Sequence, residues 1–228
     1  MRGSKTNLPK QRKHRIFLVD DHPVTREGLA RLINHEADLE VCGEAGTAAK
    51  ALPQIEALKP DLVIVDVSLS AGASGLELIK DIASRHARLP MLTLSTHDES
   101  LYAERALRAG AKGYVMKQEP TAHVMRAIRK ILTGEIYLSK AMNDRMLRKL
   151  AEPHATPLAS EIEQLSDREL EVYRLLGQGR GTRQIAEELH LSVSTVETYR
   201  SNIKDKLHLA SAPELVRHAV EWVHSQTS

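Results

Sequence analysis

Asp61-Leu62-Val63-Ile64-Val65-Asp66 places four apolar residues, three of them β-branched, between two carboxylates. A strand wetted on one face alternates apolar with polar residues. An unbroken apolar run of this length suits a strand covered on both faces, the condition of an inner strand in a parallel sheet. The carboxylate that ends the run then falls where open α/β sheets bind ligands, outside the C-terminal ends of the strands. Outward from this stretch the pattern repeats. Short apolar runs at Ile16–Val19, Leu39–Cys42, Met91–Leu94 and Gly113–Met116 predict four more strands. Amphipathic stretches at Thr25–Asn34, Ala48–Leu58, Leu76–Ser84, Glu99–Ala109 and Thr121–Leu132 predict the helices that follow them. Five βα units in series imply a parallel sheet with helices on both faces.

The strand ends carry chemistry. Asp20 and Asp21 follow the first strand, Asp66 the third, Ser95 the fourth and Lys117 the fifth. Each alone is ordinary; Asp21, for instance, could cap the helix that begins at Pro23. Together, at one rim, three carboxylates suit a hard divalent cation such as Mg²⁺. An aspartate beside such an ion can take up a phosphoryl group covalently, and a hydroxyl and an ammonium can hold its oxygens.

VDDHPVTREGL, DLVIVDVSL, LTLST and GAKGYVMK resemble the CheY-like receiver domain, from residue 16 to about 135. The resemblance implies a flavodoxin-like sheet of order 2-1-3-4-5. It implies Asp66 as phosphoacceptor, and Mg²⁺ held by Asp20, Asp21, Asp66 and the backbone carbonyl of Ser68. It also implies Ser95 and Lys117 as partners of the phosphoryl group, and Tyr114 as the aromatic that turns inward in the active state. Two departures stand out. Asp66-Val-Ser-Leu-Ser-Ala-Gly-Ala-Ser-Gly75 lacks the family's proline and has one extra residue, so a more mobile loop and a different phosphoryl lifetime are expected. Pro53 lies inside the second helix, where its missing N–H should kink it.

Beyond residue 138 the strand pattern stops. Residues 139–163 read as a linker containing a short helical stretch, AMNDRMLRKL, and the Pro- and Ala-bearing EPHATPLAS. Ser166-Asp-Arg-Glu169 is a capping box opening a helix that ends near Gly177 and Gly179. Thr182–Leu189, Val193–Leu207 and Ala212–Val223 follow. The tight connection His190-Leu191-Ser192 gives the spacing of a scaffold helix followed by a recognition helix. Val196, Tyr199, Ile203 and Leu207 share its inward face, while Glu197, Thr198 and Ser201, with Lys204 beside them, lie opposite. Spacing alone suits a protein-interaction module equally well, and the last helix could serve either core or dimer contact.

LSDRELEVYRLLGQG and IAEELHLSVSTVETYRSNIKDKL resemble the LuxR-type helix-turn-helix over nearly all of 164–224. With the receiver upstream, the whole chain resembles a NarL/FixJ-family response regulator. That resemblance implies a basic tail (1–15), a receiver (16–138), a linker (139–163) and an all-α four-helix DNA-binding domain (164–228). Glu197, Thr198 and Ser201 become base-facing candidates, and Thr195, Arg200 and Lys204 phosphate-facing ones. A glutamate at 197 would accept from cytosine N4 and repel phosphate. A sensor histidine kinase, promoter DNA and a homodimer on DNA or on phosphorylation are the expected partners. The expected role is regulatory rather than enzymatic, limited to accepting and slowly losing a phosphoryl group.

Composition is compatible with this and would not have suggested it. The net charge of +2 over 228 residues arises largely from Arg2, Lys5, Lys10, Arg12, Lys13 and Arg15, with no acid among the first 15 residues. Residues 166–228 carry eight Lys/Arg against nine Asp/Glu, so that segment is not globally basic. Cys42 is the single cysteine, which excludes an internal disulfide and suits the cytoplasm; it is expected to be a small core residue. No apolar run approaches the ~20 residues of a membrane span. An aspartyl-nucleophile phosphatase is a rival on a similar sheet, but it needs an acid two residues after the nucleophile, where Ser68 stands. Walker-type and dinucleotide-binding glycine patterns are absent.

Overall fold

The computed structural model describes residues 12–69, 74–151, 162 and 164–226. Most of the basic tail, the centre of the loop after Asp66 and the EPHATPLAS segment lie outside the described residues, as do the expectations placed on them. Two compact units result. One carries the sheet and the other the helices from Leu138 on.

In the first unit β1 (His14–Val19), β2 (Leu39–Ala45), β3 (Leu62–Asp66), β4 (Met91–Ser95) and β5 (Gly113–Met116) form a parallel sheet of order β2-β1-β3-β4-β5. Central β3 is buried along its whole length, as its apolar run predicts. α1 (Pro23–His35), α2 (Ala48–Leu58), α3 (Gly75–Arg85), α4 (Glu99–Ala109) and α5 (Thr121–Leu132) follow the strands in turn. Ile16, Leu18, Ile64, Leu92, Leu94 and Val115 pack with Leu29 and Ile33 of α1 and with Val124, Ile128 and Ile131 of α5. Their neighbours Phe17, Val63, Val65 and Met91 are equally buried, and the two-residue period of a strand sends them to the opposite face.

Several boundaries have local causes. Pro23 opens α1 two residues before the predicted start, because a proline at the first turn gives up an N–H that the helix could not have used. Strand β2 runs three residues past Cys42, through Gly43, and the β1–β2 register shifts between Ile16 and Phe17. A Cβ at Gly43 would lie 2.6 Å from Leu58 and 2.7 Å from Phe17, so this glycine admits neighbours rather than ending the strand. Helix α2 continues through Pro53 at the expense of the bond that residue 53 would have donated to the Ala49 carbonyl. Cys42 is half-buried rather than fully in the core, and burial raises its thiol pKa, which lowers its thiolate content at neutral pH.

The second unit is helical. α6 (Lys140–Ala151) occupies much of the predicted linker. α7 (Asp167–Gly177), α8 (Thr182–Glu188), α9 (Val193–Lys206) and α10 (Ala212–Gln226) follow. The capping box forms as read: Ser166 N–H donates to Glu169 at 2.7 Å, and Glu169 N–H donates to Ser166 Oγ at 3.3 Å. Helices α7 and α10 approach so closely at Gly177 that a Cβ there would lie 2.4 Å from the Ala219 carbonyl oxygen. Of the apolar stripe Leu215, Val216, Ala219 and Val223 on α10, Leu215 and Ala219 are fully buried, Val223 is half-buried and Val216 is exposed. Behind it Tyr173, buried, shares a 2.5 Å hydrogen bond with His218 Nδ1 and packs tilted against Trp222.

Candidate functional site

The register of the parallel sheet brings the ends of β1, β3, β4 and β5 to one rim. Asp66 closes β3 with its residue only 2% exposed, and Asp20 follows β1 at 5%. Lys117, immediately after β5, sends its Nζ between them, 2.7 Å from Asp66 Oδ2 and 2.7 Å from Asp20 Oδ2. Burial pulls the Lys117 ammonium toward the neutral form. The charges and hydrogen bonds of Asp66 and Asp20 overcome that and raise its pKa above the usual lysine range. The Asp20 end is braced from outside: Arg26 donates to its backbone carbonyl at 2.6 Å and pairs with Glu44 at 3.2 Å.

Ligand-capable atoms of Asp20, Asp21, Asp66 and His22 all lie within 4.8 Å of one another. Three carboxylates in that span fit a hard divalent cation. His22 was not among the residues predicted for the site. Its Nδ1 lies 2.8 Å from Asp21 Oδ1 and 3.5 Å from Asp20 Oδ1, and its backbone N–H donates to Asp20 Oδ1 at 2.8 Å. Its position next to the acidic pair was the available signal. Ser68, two residues past Asp66, is half-buried.

Ser95 is fully buried at the end of β4. Its Oγ accepts the His97 N–H at 3.0 Å, and its carbonyl accepts the Lys117 N–H at 2.7 Å. Tyr114, inside β5, is also buried and donates its phenol to the His97 carbonyl at 2.8 Å. Burial drives the Tyr114 phenol well above its ordinary pKa, with the nearby Ser95 hydroxyl pulling the other way. His97 in turn stacks on Tyr102 of α4, with ring centroids 4.5 Å apart. Asp66, Asp20, Lys117 and Ser95 are thus gathered at one rim, with Tyr114 linked to it through His97.

In the second unit Ser192 caps α9 by accepting the Thr195 N–H at 3.0 Å, and the Thr195 and Ser192 hydroxyls are 2.7 Å apart. Val196, Ile203 and Leu207 are buried as predicted, and Tyr199 is half-buried. Glu197, Thr198 and Ser201 are exposed, and Lys204 is intermediate. Thr198 donates its hydroxyl back to the Ser194 carbonyl at 3.0 Å, which spends the hydroxyl proton and leaves the oxygen as an acceptor. Glu197 and Arg200 are engaged with each other at 3.2 Å, and both contact the hydroxyl of Thr182, the first residue of α8. Thr182 was not predicted, because its role depends on two helices meeting.

Comparison with known proteins matches both halves. Residues 16–129 match the response regulator receiver domain, and residues 163–219 match bacterial regulatory proteins of the luxR family. The oxygen regulatory protein NreC of Staphylococcus aureus is 34% identical over 210 residues, which cover 91% of this chain and 97% of that protein. A two-component response regulator of the LuxR family from Aurantimonas sp. SI85-9A1 is 34% identical, with a TM-score of 0.57 over 61% of this chain and 99% of that one. RcsB from Salmonella enterica serovar Typhimurium, solved on the promoter P1flhDC with the phosphomimetic BeF3-, shares the fold. Its TM-score is 0.60 at 22% identity, covering 91% of this chain and 98% of that one.

Proposed function

The chain belongs to the LuxR-type response regulators, DNA-binding proteins of two-component systems, and from that premise we propose that Asp66 is its phosphoacceptor and α9 its DNA-reading helix. The observation that carries the first part is the Lys117 ammonium held 2.7 Å from both Asp20 and Asp66 at the strand-end rim. A carboxylate oxygen of Asp66 attacks the donor phosphorus, a P–O bond forms, and the bond from phosphorus to the donor histidine nitrogen breaks. Asp20, Asp21, Asp66 and the Ser68 carbonyl are the donors that would hold Mg²⁺. Bound there, the ion supplies charge to offset the incoming phosphoryl oxygens. Lys117 leaves its pairing with Asp66 to meet those oxygens, and the Ser95 hydroxyl gives up the His97 N–H to do the same.

The resulting change at Ser95, His97 and Tyr114 passes to the DNA-binding domain through altered domain packing and dimerisation, so that promoter occupancy follows phosphorylation. Residues 16–138 are the receiver, 139–163 the connection and 164–228 the reading domain. On DNA, Glu197, Thr198 and Ser201 face bases while Thr195, Arg200 and Lys204 face phosphates. The working partners are a sensor histidine kinase, double-stranded promoter DNA and a second copy of the chain, in the cytoplasm. Among the described residues, no helix is long and apolar enough to cross a membrane. Beyond accepting and slowly losing a phosphoryl group the protein turns over no substrate.

The test is labelling of purified protein with acetyl phosphate and Mg²⁺. Wild type gains one phosphoryl group and Asp66→Ala gains none. A modified Asp66→Ala protein would put the acceptor elsewhere.

A further inference from the structure

We infer that Thr182, Glu197 and Arg200 form a latch that holds an arginine back from DNA phosphate, so that Glu197 sets both the strength and the salt dependence of binding; this rests on α9 being the DNA-reading helix. Glu197 Oε1 accepts the Thr182 hydroxyl at 2.8 Å and lies 3.2 Å from an Arg200 guanidinium nitrogen. The same nitrogen donates to the Thr182 oxygen. The hydroxyl therefore uses its one proton on the acid and its lone pair on the base. Thr182 sits 15 and 18 residues before its two partners, so the triangle ties the scaffold helix to the reading helix.

The exposures give the triangle a direction. The Glu197 side chain is 55% exposed on the outer face, while Arg200 is only 19% exposed and is drawn toward α8. Arginine and glutamate together present no net charge. For Arg200 to pair with a phosphate, its guanidinium must exchange a carboxylate and a hydroxyl for the phosphate oxygens. Exchanging one anionic acceptor for another returns little free energy and releases fewer counterions than a free arginine would. Glu197 thereby lowers general affinity for the backbone, and the share of discrimination carried by base contacts rises. Thr182 is a positioning residue, because it fixes where the other two point.

The experiment uses the full-length protein and two fluorescein-labelled 30-base-pair duplexes. One is enriched by the wild-type protein from a random-sequence pool, and the other is a scrambled duplex of equal composition. Anisotropy titrations are run across a KCl series. Glu197→Gln is expected to tighten binding to both duplexes by roughly two- to fivefold, the worth of one exposed charge contact. It should steepen the log–log salt slope by about 0.9, one further phosphate. Thr182→Val should give part of the same gain. Arg200→Ala should weaken binding by a larger factor in the Glu197→Gln background than in wild type.

Three outcomes overturn the latch. A gain that survives in the Glu197→Gln, Arg200→Ala double variant makes the effect plain repulsion by the acid. An unchanged slope with loss confined to the enriched duplex makes Glu197 a base-reading residue only. Unaltered binding by Lys204→Ala and Ser201→Ala on both duplexes removes α9 as the reading helix, and with it the functional proposal as well as the latch.

Discussion

Lys117→Met removes the ammonium and keeps the length of the stem, so it isolates the charge between Asp20 and Asp66. Both carboxylates are almost wholly buried, and the lysine side chain is 12% exposed. Deleting one member of a buried ion pair costs about 3–5 kcal/mol, because the partner is left charged without compensation. The rim position of the pocket argues for the lower end, about 3 kcal/mol. For a unit of this size roughly 4 °C accompanies each kcal/mol, so the receiver melting transition should fall by about 12 °C in EDTA. Mg²⁺ held by the carboxylates as proposed would bring positive charge to them, so its stabilising effect should be larger in the variant than in wild type. The assay is differential scanning calorimetry of the full chain in EDTA and in excess MgCl₂. A Lys117→Met protein that melts with wild type in EDTA would refute the claim that this amine neutralises the two carboxylates.

Four further outcomes can be checked. Gly177→Ala places a methyl 2.4 Å from the Ala219 carbonyl oxygen and should destabilise the helical unit by about 1–3 kcal/mol in urea unfolding, with α7 and α10 forced apart. Ser166→Ala breaks the capping box and should cost about 1 kcal/mol by the same measurement. The hydrogen bond from the Arg129 guanidinium lowers the Asp38 carboxyl to a pKa of about 2, against burial that raises it. A depressed pKa gives stability that is present above the unfolded value near 4 and lost as pH falls toward 2. The advantage of wild type over Asp38→Asn should therefore vanish across that window and stay below about 1 kcal/mol at pH 6, since the pair is exposed. Tyr114→Phe forfeits the hydrogen bond to the His97 carbonyl and should lower receiver stability by about 1 kcal/mol in thermal unfolding followed by circular dichroism.

The sheet was legible because each strand announces itself by an apolar run and each rim residue by its place directly after one. Asp66 follows the most apolar strand of all, and Lys117 the last. What escaped was of two kinds. The apolar run of β2 ends at Cys42, yet the strand passes on through Gly43, whose missing side chain makes room for Phe17 and Leu58. Pro53 lies inside α2, as the sequence places it, and the helix continues past it with one bond fewer. The other kind depends on tertiary approach. Thr182 is unremarkable until α8 and α9 bring its hydroxyl to Glu197 and Arg200, and no periodicity encodes that meeting. The last helix left core and dimer contact open; the close approach at Gly177 puts Ala219 in the core, while Val216 stays exposed.

His97 offers its amide hydrogen to the Ser95 hydroxyl and its carbonyl oxygen to the Tyr114 phenol. One residue is therefore fastened at both ends, to the rim on one side and to the buried ring of β5 on the other, while its own imidazole rests on Tyr102. On the proposed function, a shift of the Ser95 hydroxyl would be felt through this one residue by both tyrosines.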